Sequence, residues 1–557
     1  MQLLKSLSQS KVSFLLAIYI GILLNSMVFY RRFNPLELGL GWISLFSVLT
    51  EMVAITSLTF FLMRLASLGG RLFFRVFATL LAIMSVAASY YMTFFNVVIG
   101  YGVVASVMTL DRTLAQEMIS NHFIIWMLLV STLPLLLIWY PPLKFTLLEK
   151  IKTPGQRLRS LLLLVVTSLL VWLPLKFMGY VHKEYAKKHN IEVPSYGGVV
   201  AHSYLPANWL TPLALFTYTQ IHQIQNQTSL LNPTDQYQYV APADIDDIYV
   251  VFIIGETTRW DHMGVLGYSR DTTPFLSREK NLVAFKGQSC DTATWLSLRC
   301  MFVREGGTAD DPQRTLKEQN VFAVLRSLGF TSEAFSIQSD LWFYSLLNAN
   351  SYSFRELLAA EKRDDNQPMR DMMLVNELWK SLTHYPKGKH LVVLHTIGSH
   401  YNYSQRYPRS FAYYQPECMG TDAFCSKAEL INAYDNTVRY VDAFIKAVID
   451  QVRNKKAIVF YAADHGESID ENAFFHSTPR EVAPAEQFRV PILVWASDQY
   501  LQEPQHRAHF DRLRDQQRLD ARKKQTQLFD SILGCLGYSS PDGGIVEKNN
   551  WCHLSPK

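Results

Sequence analysis

The sequence predicts a multi-domain protein: a five-helix transmembrane α domain followed by an α/β domain with a mostly parallel sheet. Three observations predict it: charge is unevenly spread, five apolar runs have bilayer-spanning length, and three strand-like runs end in acids and histidines. Of 557 residues, 49% are hydrophobic and only 18% charged. That mixture fits neither a uniformly soluble chain nor a uniformly embedded one, and the distribution of charge explains it. Residues 1–175 hold 13 Lys and Arg against 5 Asp and Glu, whereas the remainder holds 40 against 43. An apolar, sparsely basic first third therefore precedes an ordinary soluble part. The aromatic and aliphatic content excludes intrinsic disorder. The slightly acidic soluble part offers no footing for nucleic acid.

The apolar runs lie near residues 12–30, 41–63, 76–100, 122–140 and 160–175, each long enough for a membrane span. The first is a retained span, not a cleaved signal. No small-x-small site follows it, and Phe29-Tyr30-Arg31-Arg32 comes next. Orientation follows from the basic residues of the short loops. Lys5, Lys11, Arg64, Arg71, Arg75, Lys144, Lys150, Lys152, Arg157 and Arg159 fall on one side, and Arg31, Arg32 and Arg112 on the other. The N-terminus is then cytoplasmic, and everything after Lys176 lies outside. The expected domains are a transmembrane part (1–175), a membrane-surface connector with short helices (176–244) and a catalytic part (245–557). Tyr and Trp in the stretch 203–210 suit an interfacial depth, and Asn232-Pro233-Thr234-Asp235 forms a turn cluster. Glu51, inside the second run, needs a partner or a polar cavity at that depth. We expect a hydrogen-bonded packing residue there in preference to a lipid-headgroup contact.

All six cysteines, Cys290, Cys300, Cys418, Cys425, Cys535 and Cys552, lie in the soluble part. Six allow fifteen pairings. Nearest-neighbour pairing closes three short loops, each contributing about 2–4 kcal/mol in an oxidising compartment. A zinc site would want a close Cys-x-x-Cys hook, which the set lacks. Thiol placement and topology agree on a periplasm-like or extracellular location.

Three β-rich runs in the soluble part stop at reactive residues. Residues 248–254 run into Gly255-Glu256-Thr257, 390–394 into His395 and onward to His400, and 457–461 into Asp464-His465-Gly466-Glu467. Continuous apolar runs suggest strands buried on both faces of a parallel sheet, with helical patterns at 317–328 and 427–449 between them. Ligands of such sheets bind beyond the carboxyl ends of the strands. Glu256, His400, Asp464 and His465 would meet at that edge, and their oxygens and nitrogens suit zinc or, less selectively, manganese. His476 could join as an outer or substrate ligand. A hydroxyl nucleophile is available within 290–300. Metal or base must remove its proton, and a helix N-terminus beside it would suit a phosphate. Ser289, Thr292, Thr294 and Ser297 are equal candidates on these grounds.

These residues carry a family resemblance across essentially the whole chain. Gly-Glu-Thr after the first strand, the Cys-x-x-x-Thr loop closed by Cys300, Asn432-Ala433-Tyr434-Asp435-Asn436 and Asp-His-Gly-Glu-Ser resemble membrane-bound phosphoethanolamine transferases, relatives of alkaline phosphatases and sulfatases. The resemblance implies an alkaline phosphatase/sulfatase-like domain with Zn2+ held by Glu256, Thr294, Asp464 and His465, and leaves room for a second divalent cation. It makes Thr294 the nucleophile and places His400 and His476 against the donor phosphate or a second metal. The stretches 96–102 and 312–320 look like the branch that decorates Kdo sugars of lipopolysaccharide. Two departures separate the chain from the lipid A branch: residues 335–342 have no cysteine, and Arg299 stands where those enzymes generally have Pro. The implied reaction moves phosphoethanolamine from phosphatidylethanolamine to a Kdo hydroxyl through phospho-Thr294, releasing diacylglycerol. The implied place is the Gram-negative inner membrane with a periplasmic catalytic domain, and no obligate protein partner is expected. The alternatives are the same chemistry on lipid A phosphates, or a zinc phosphodiesterase or phosphatase on the same fold. A formylglycine sulfatase lacks its motif here, and the disulfides argue against a lipoteichoic-type phosphoglycerol transferase. A non-catalytic scaffold would close its metal site without a hydroxyl.

Overall fold

The computed structural model describes residues 7–33, 42–109, 119–141, 153–189, 195–226, 230–243, 245–304, 317–339, 341–355, 357–358, 370–420, 425–469, 471, 475–480 and 482–553. Lys5, Arg112, Lys144, Lys150 and Lys152 from the orientation count, and 312–316 from the branch resemblance, lie outside these. The chain divides into two compact units, one built from Met1–Thr217 with Pro479–Val482, the other from Tyr218–Thr478 and Ala483–Lys557.

The first unit is helical, and its long helices follow the apolar runs. Helix α1 (Gln9–Ile18) passes through a π turn at Tyr19–Leu23 before α2 (Ser26–Phe33). Then come α3 (Trp42–Ala66), α4 (Gly70–Phe94), α5 (Tyr101–Thr109), α6 (Asn121–Trp139), α7 (Pro154–His189), α8 (Tyr196–Ser203) and α9 (Ala207–Asn226). Three described stretches are long and apolar enough to cross a membrane: Leu45–Phe94, which takes in most of α3 and all of α4, Asn121–Trp139 and Pro154–His189. Gln9–Leu23 is apolar but shorter. Leu128 and Leu129 on α6 are 68% and 71% exposed, as side chains solvated by lipid would be. The π turn loosens the helical ladder, and Asn25 repairs it. Its amide donates to Ile20 O and Gly21 O at 3.1 Å, while its Oδ1 accepts from Leu205 N at 2.9 Å. Unsatisfied backbone groups are costly where no water reaches. Glu51 is buried and accepts from Tyr196 OH at 2.6 Å and from Tyr204 OH. It is the hydrogen-bonded packing residue that the sequence suggested.

The second unit is built on an eight-stranded sheet. Its strands are β1 (Tyr249–Gly255), β2 (Leu282–Gln288), β3 (Thr331–Ser336), β4 (Ser351–Ser353), β5 (His390–His395), β6 (Ala457–Ala463), β7 (Arg489–Ala496) and β8 (Lys523–Lys524), in the order β4-β3-β5-β1-β6-β7-β2-β8. The three runs read from sequence are the adjacent central strands β5, β1 and β6, all parallel. Only β7 pairs antiparallel with its neighbours among the described strands. Every residue of β1, β5 and β6 is buried, the burial that a sheet covered on both faces requires.

Of the helices, α10 (Thr294–Cys300), α11 (Val321–Ser327), α12 (Leu341–Leu346), α13 (Met372–His384), α14 (Lys427–Val452), α15 (Pro504–Arg518) and α16 (Leu528–Cys535) matter here. The helix expected over 317–328 begins only at Val321. Asn320 caps it by accepting from Phe322 N and Ala323 N at 3.1 Å, and Glu318 forms a β-bridge instead. Helix α14 starts at a capping box between Ser426 and Glu429. Disulfides join Cys290–Cys300, Cys418–Cys425 and Cys535–Cys552, the nearest-neighbour pairing.

Candidate metal and phosphoryl-transfer centre

Register gathers the site. In the parallel sheet Ile254 pairs with His395 and Gly255 with Ala463, so the residues that follow leave the same edge. Glu256, Asp464 and His465 all have 0% relative exposure. Residues 252 and 254 of β1, 460 and 462 of β6, and 298 and 300 of α10 belong to one core layer. By alternation, Glu256 and Asp464 face the side on which α10 lies.

Of the four candidate hydroxyls, Thr294 is the one that meets this group. It opens α10, and its Oγ1 lies 3.2 Å from Glu256 Oε2 and 3.2 Å from His465 Nε2. Ser289 Oγ turns to Asp291 O at 2.7 Å, Thr292 Oγ1 to Thr478 O at 2.5 Å, and Ser297 is buried without a hydroxyl partner. Gln525 ties the loop before Thr294 to the end of β6. It accepts from Cys290 N at 2.8 Å and donates to Ala463 O and Asp464 O at 2.6 and 2.7 Å.

The donor atoms fit a cation. His465 Nδ1 lies 2.8 Å from Gly466 O, so it must carry the hydrogen, and Nε2 presents a lone pair. That lone pair faces Glu256 Oε1 at 3.4 Å and Asp464 Oδ2 at 3.3 Å. Burial lowers the His465 pKa and keeps the ring neutral, so its Nε2 and the two carboxylate oxygens converge as acceptor atoms. Asp464 Oδ1 is occupied, accepting from Thr257 N at 3.2 Å and His465 N at 2.7 Å, while Oδ2 has no hydrogen-bond donor among the described residues. A buried carboxylate oxygen facing a lone pair is unfavourable until a positive ion lies between them. The ligand atoms of Glu256, His465 and His476 all lie within 4.8 Å of one another.

His400 and His476 flank this centre. The His476 ring stands 4.5 Å from that of His465 and 5.2 Å from that of His400. Burial pushes His476 down to about 4 and His400 well below its usual range, so both rings are neutral at pH 7. Glu467 Oε2 lies 3.4 Å from His476 Nδ1. Asp371 accepts from Ile397 N at 2.8 Å and Gly398 N at 3.1 Å, fixing the loop that leads to His400.

Two supports escaped the sequence reading. Gln338, beyond β3, donates to Glu256 Oε2 at 2.6 Å and to Thr396 O at 3.1 Å. This turns the other carboxylate oxygen toward His465. Thr257 has φ 50°, a left-handed conformation that costs a side-chain-bearing residue about 1–2 kcal/mol. Its positive φ is invisible in sequence, and Gln338 follows a strand too polar to be recognised as buried.

A buried acid–histidine edge on a largely parallel sheet, with a hydroxyl at a helix start, defines a sulfatase-class centre, and the sulfatase family profile matches residues 248–538. A second profile, phosphoethanolamine transferase EptA/EptB, matches residues 55–207. The chain belongs to the phosphoethanolamine transferase family. It is 55% identical over 554 residues to the Kdo(2)-lipid A phosphoethanolamine 7''-transferase of Escherichia coli (strain K12), covering 100% of this chain and 98% of that protein. The protein of that name from Salmonella typhimurium is also 55% identical, with the same coverage. The fold is similar to that of the integral membrane protein lipooligosaccharide phosphoethanolamine transferase A from Neisseria meningitidis. The TM-score is 0.81 at 23% identity, over 97% of each chain.

Proposed function

We propose that this enzyme transfers phosphoethanolamine from phosphatidylethanolamine to a Kdo sugar of lipopolysaccharide through a phospho-threonine intermediate. What carries the assignment is Thr294, whose Oγ1 alone among the candidate hydroxyls meets both Glu256 and His465. The likeness in sequence to two Kdo(2)-lipid A phosphoethanolamine 7''-transferases supports the acceptor.

Glu256, Thr294, Asp464 and His465 would hold Zn2+. When bound, the ion would lower the pKa of the hydroxyl and offset charge on the phosphoryl oxygens. Thr294 Oγ attacks the donor phosphorus, and its proton leaves through the hydrogen bond to Glu256 Oε2. The P–O bond to diacylglycerol breaks, and the lipid alkoxide takes the proton that Glu256 received. A sugar hydroxyl then attacks phospho-Thr294, and neutral His476 or His400 takes its proton. The P–O bond to Thr294 breaks, and that proton passes from the histidine to the Thr294 alkoxide, restoring the hydroxyl.

In this account the catalytic part, 245–557, works in the periplasm, tethered to the inner membrane by five spans (1–175) and a membrane-surface connector (176–244). The N-terminus is cytoplasmic, both substrates are lipids, and no obligate protein partner is required. The test is a transfer assay on the full-length enzyme with Zn2+ and phosphatidylethanolamine, offering Kdo(2)-lipid A or lipid A without Kdo. Product only with the Kdo-bearing acceptor is expected. Equal transfer to both would move the acceptor to the lipid A phosphates, and release of phosphoethanolamine to water alone would make the enzyme a hydrolase.

A further inference from the structure

The stretch Asn432–Asn436 is distinctive in sequence yet takes no part in the chemistry above. Its side chains, with that of the next residue Thr437, hold the two loops that carry the site. Tyr434 OH donates to Thr257 O at 2.7 Å and accepts from Arg259 N at 2.9 Å. Asp435 accepts from Tyr268 OH at 3.0 Å and Arg270 Nη1 at 2.8 Å, and its Oδ1 lies 2.7 Å from His262 Nδ1. Thr437 Oγ1 donates to Ser399 Oγ at 2.8 Å, and Ser399 N donates to Glu256 O at 3.0 Å. One helix, α14, thus grips the segment after β1 and the segment after β5.

Thr257 is where that grip matters. It is fully buried and β-branched, and it sits at φ 50°. Its side-chain hydroxyl has no hydrogen-bond partner among the described residues, so neither conformation nor hydrogen bonding there favours a threonine. Its backbone, however, links both candidate carboxylates. Glu256 precedes it directly, and its N–H donates to Asp464 Oδ1 at 3.2 Å. A threonine released from its neighbours returns to negative φ, and that rotation would carry Glu256 away from Asp464.

We propose that Tyr434 is a positioning residue for the metal centre: its hydroxyl clamps Thr257 in the left-handed conformation that keeps Glu256 and Asp464 in register. The inference rests on reading those two carboxylates as cation ligands. A tyrosine that merely stabilised the fold would, when changed to phenylalanine, lower the melting temperature and leave metal affinity alone. A clamp has a different signature, because glycine adopts positive φ at little cost and would make the hydroxyl dispensable.

The test compares full-length wild type, Tyr434→Phe and the double variant Tyr434→Phe/Thr257→Gly. Zinc affinity is measured by chelator competition, with thermal melting alongside. Tyr434→Phe should lower the melting temperature, because two buried backbone groups lose their partner, and should in addition weaken zinc roughly 10-fold or more; the added Thr257→Gly should recover most of the zinc loss. Wild-type affinity in Tyr434→Phe overturns the clamp, as does a loss that Thr257→Gly does not recover. If Tyr434→Phe does not fold, the double variant decides: folded and zinc-binding supports the clamp, unfolded overturns it. A wild type that binds no zinc overturns the ligand reading itself, a failure distinct from that of the clamp.

Discussion

At the scale of single residues, the centre is a set of acceptor atoms that converge where a cation would be held. Asp464→Asn replaces half of a charged acceptor with an amide donor aimed at the same space. It should lower zinc affinity roughly 100-fold, measured by metal analysis after dialysis against a chelator; unchanged content would remove Asp464 from the ligand set. Gln338→Leu deletes the 2.6 Å hydrogen bond to Glu256 Oε2 and frees that carboxylate to rotate. Zinc should bind roughly 10-fold more weakly, and an affinity equal to wild type would make Gln338 a bystander. The acids and histidines at strand ends were legible because residue type and position both speak in sequence. Gln338, Thr257 and Tyr434 were not, since each acts through a partner distant in sequence or through a backbone angle.

At the scale of elements, burial sets a pH dependence away from the metal. His390, at the start of β5, is buried between Ser381 Oγ at 2.8 Å and Thr331 Oγ1 at 2.9 Å, and burial lowers its pKa from 6.5 to about 4. As pH falls below 6.5 the unfolded chain takes up a proton that the folded chain refuses until about 4. Stability from this residue is therefore complete above 6.5 and lost down to about 4, by at most about 3 kcal/mol. Chemical denaturation of wild type and His390→Gln at pH 7 and pH 5 should show the wild type losing more; equal losses would contradict the assignment. In the first unit, Glu51→Ala strands two tyrosine hydroxyls. It should destabilise the helices by about 1–3 kcal/mol, read from thermal unfolding in detergent, with no effect counting against Glu51 as a packing residue. The central strands were visible as unbroken β-branched runs. Strand β7 carries Pro491, paired with Lys286 of β2, and proline in a run argues against an interior strand; β3 reads Thr-Ser-Glu-Ala-Phe-Ser, too polar to be recognised as a sheet member.

At the scale of the whole molecule, the proposed reaction accounts for an apolar helical part and a polar α/β part in one chain, since its donor and acceptor would both be lipids. The apolar first third and the disulfide-bonded α/β unit could be separated in sequence by charge and cysteine placement alone. What charge counting could not supply is the choice among four neighbouring hydroxyls, at 289, 292, 294 and 297, which depends on how α10 faces the ends of β1 and β6. The proposed covalent step is the claim on which the rest of the proposed function depends, and it can be observed without any acceptor. The zinc-loaded full-length enzyme is incubated with phosphatidylethanolamine alone and analysed by intact and peptide mass spectrometry. A phosphoethanolamine adduct on Thr294, with diacylglycerol released and no adduct in Thr294→Ala, is the predicted result. An adduct on another residue, or turnover that persists in Thr294→Ala, would contradict it.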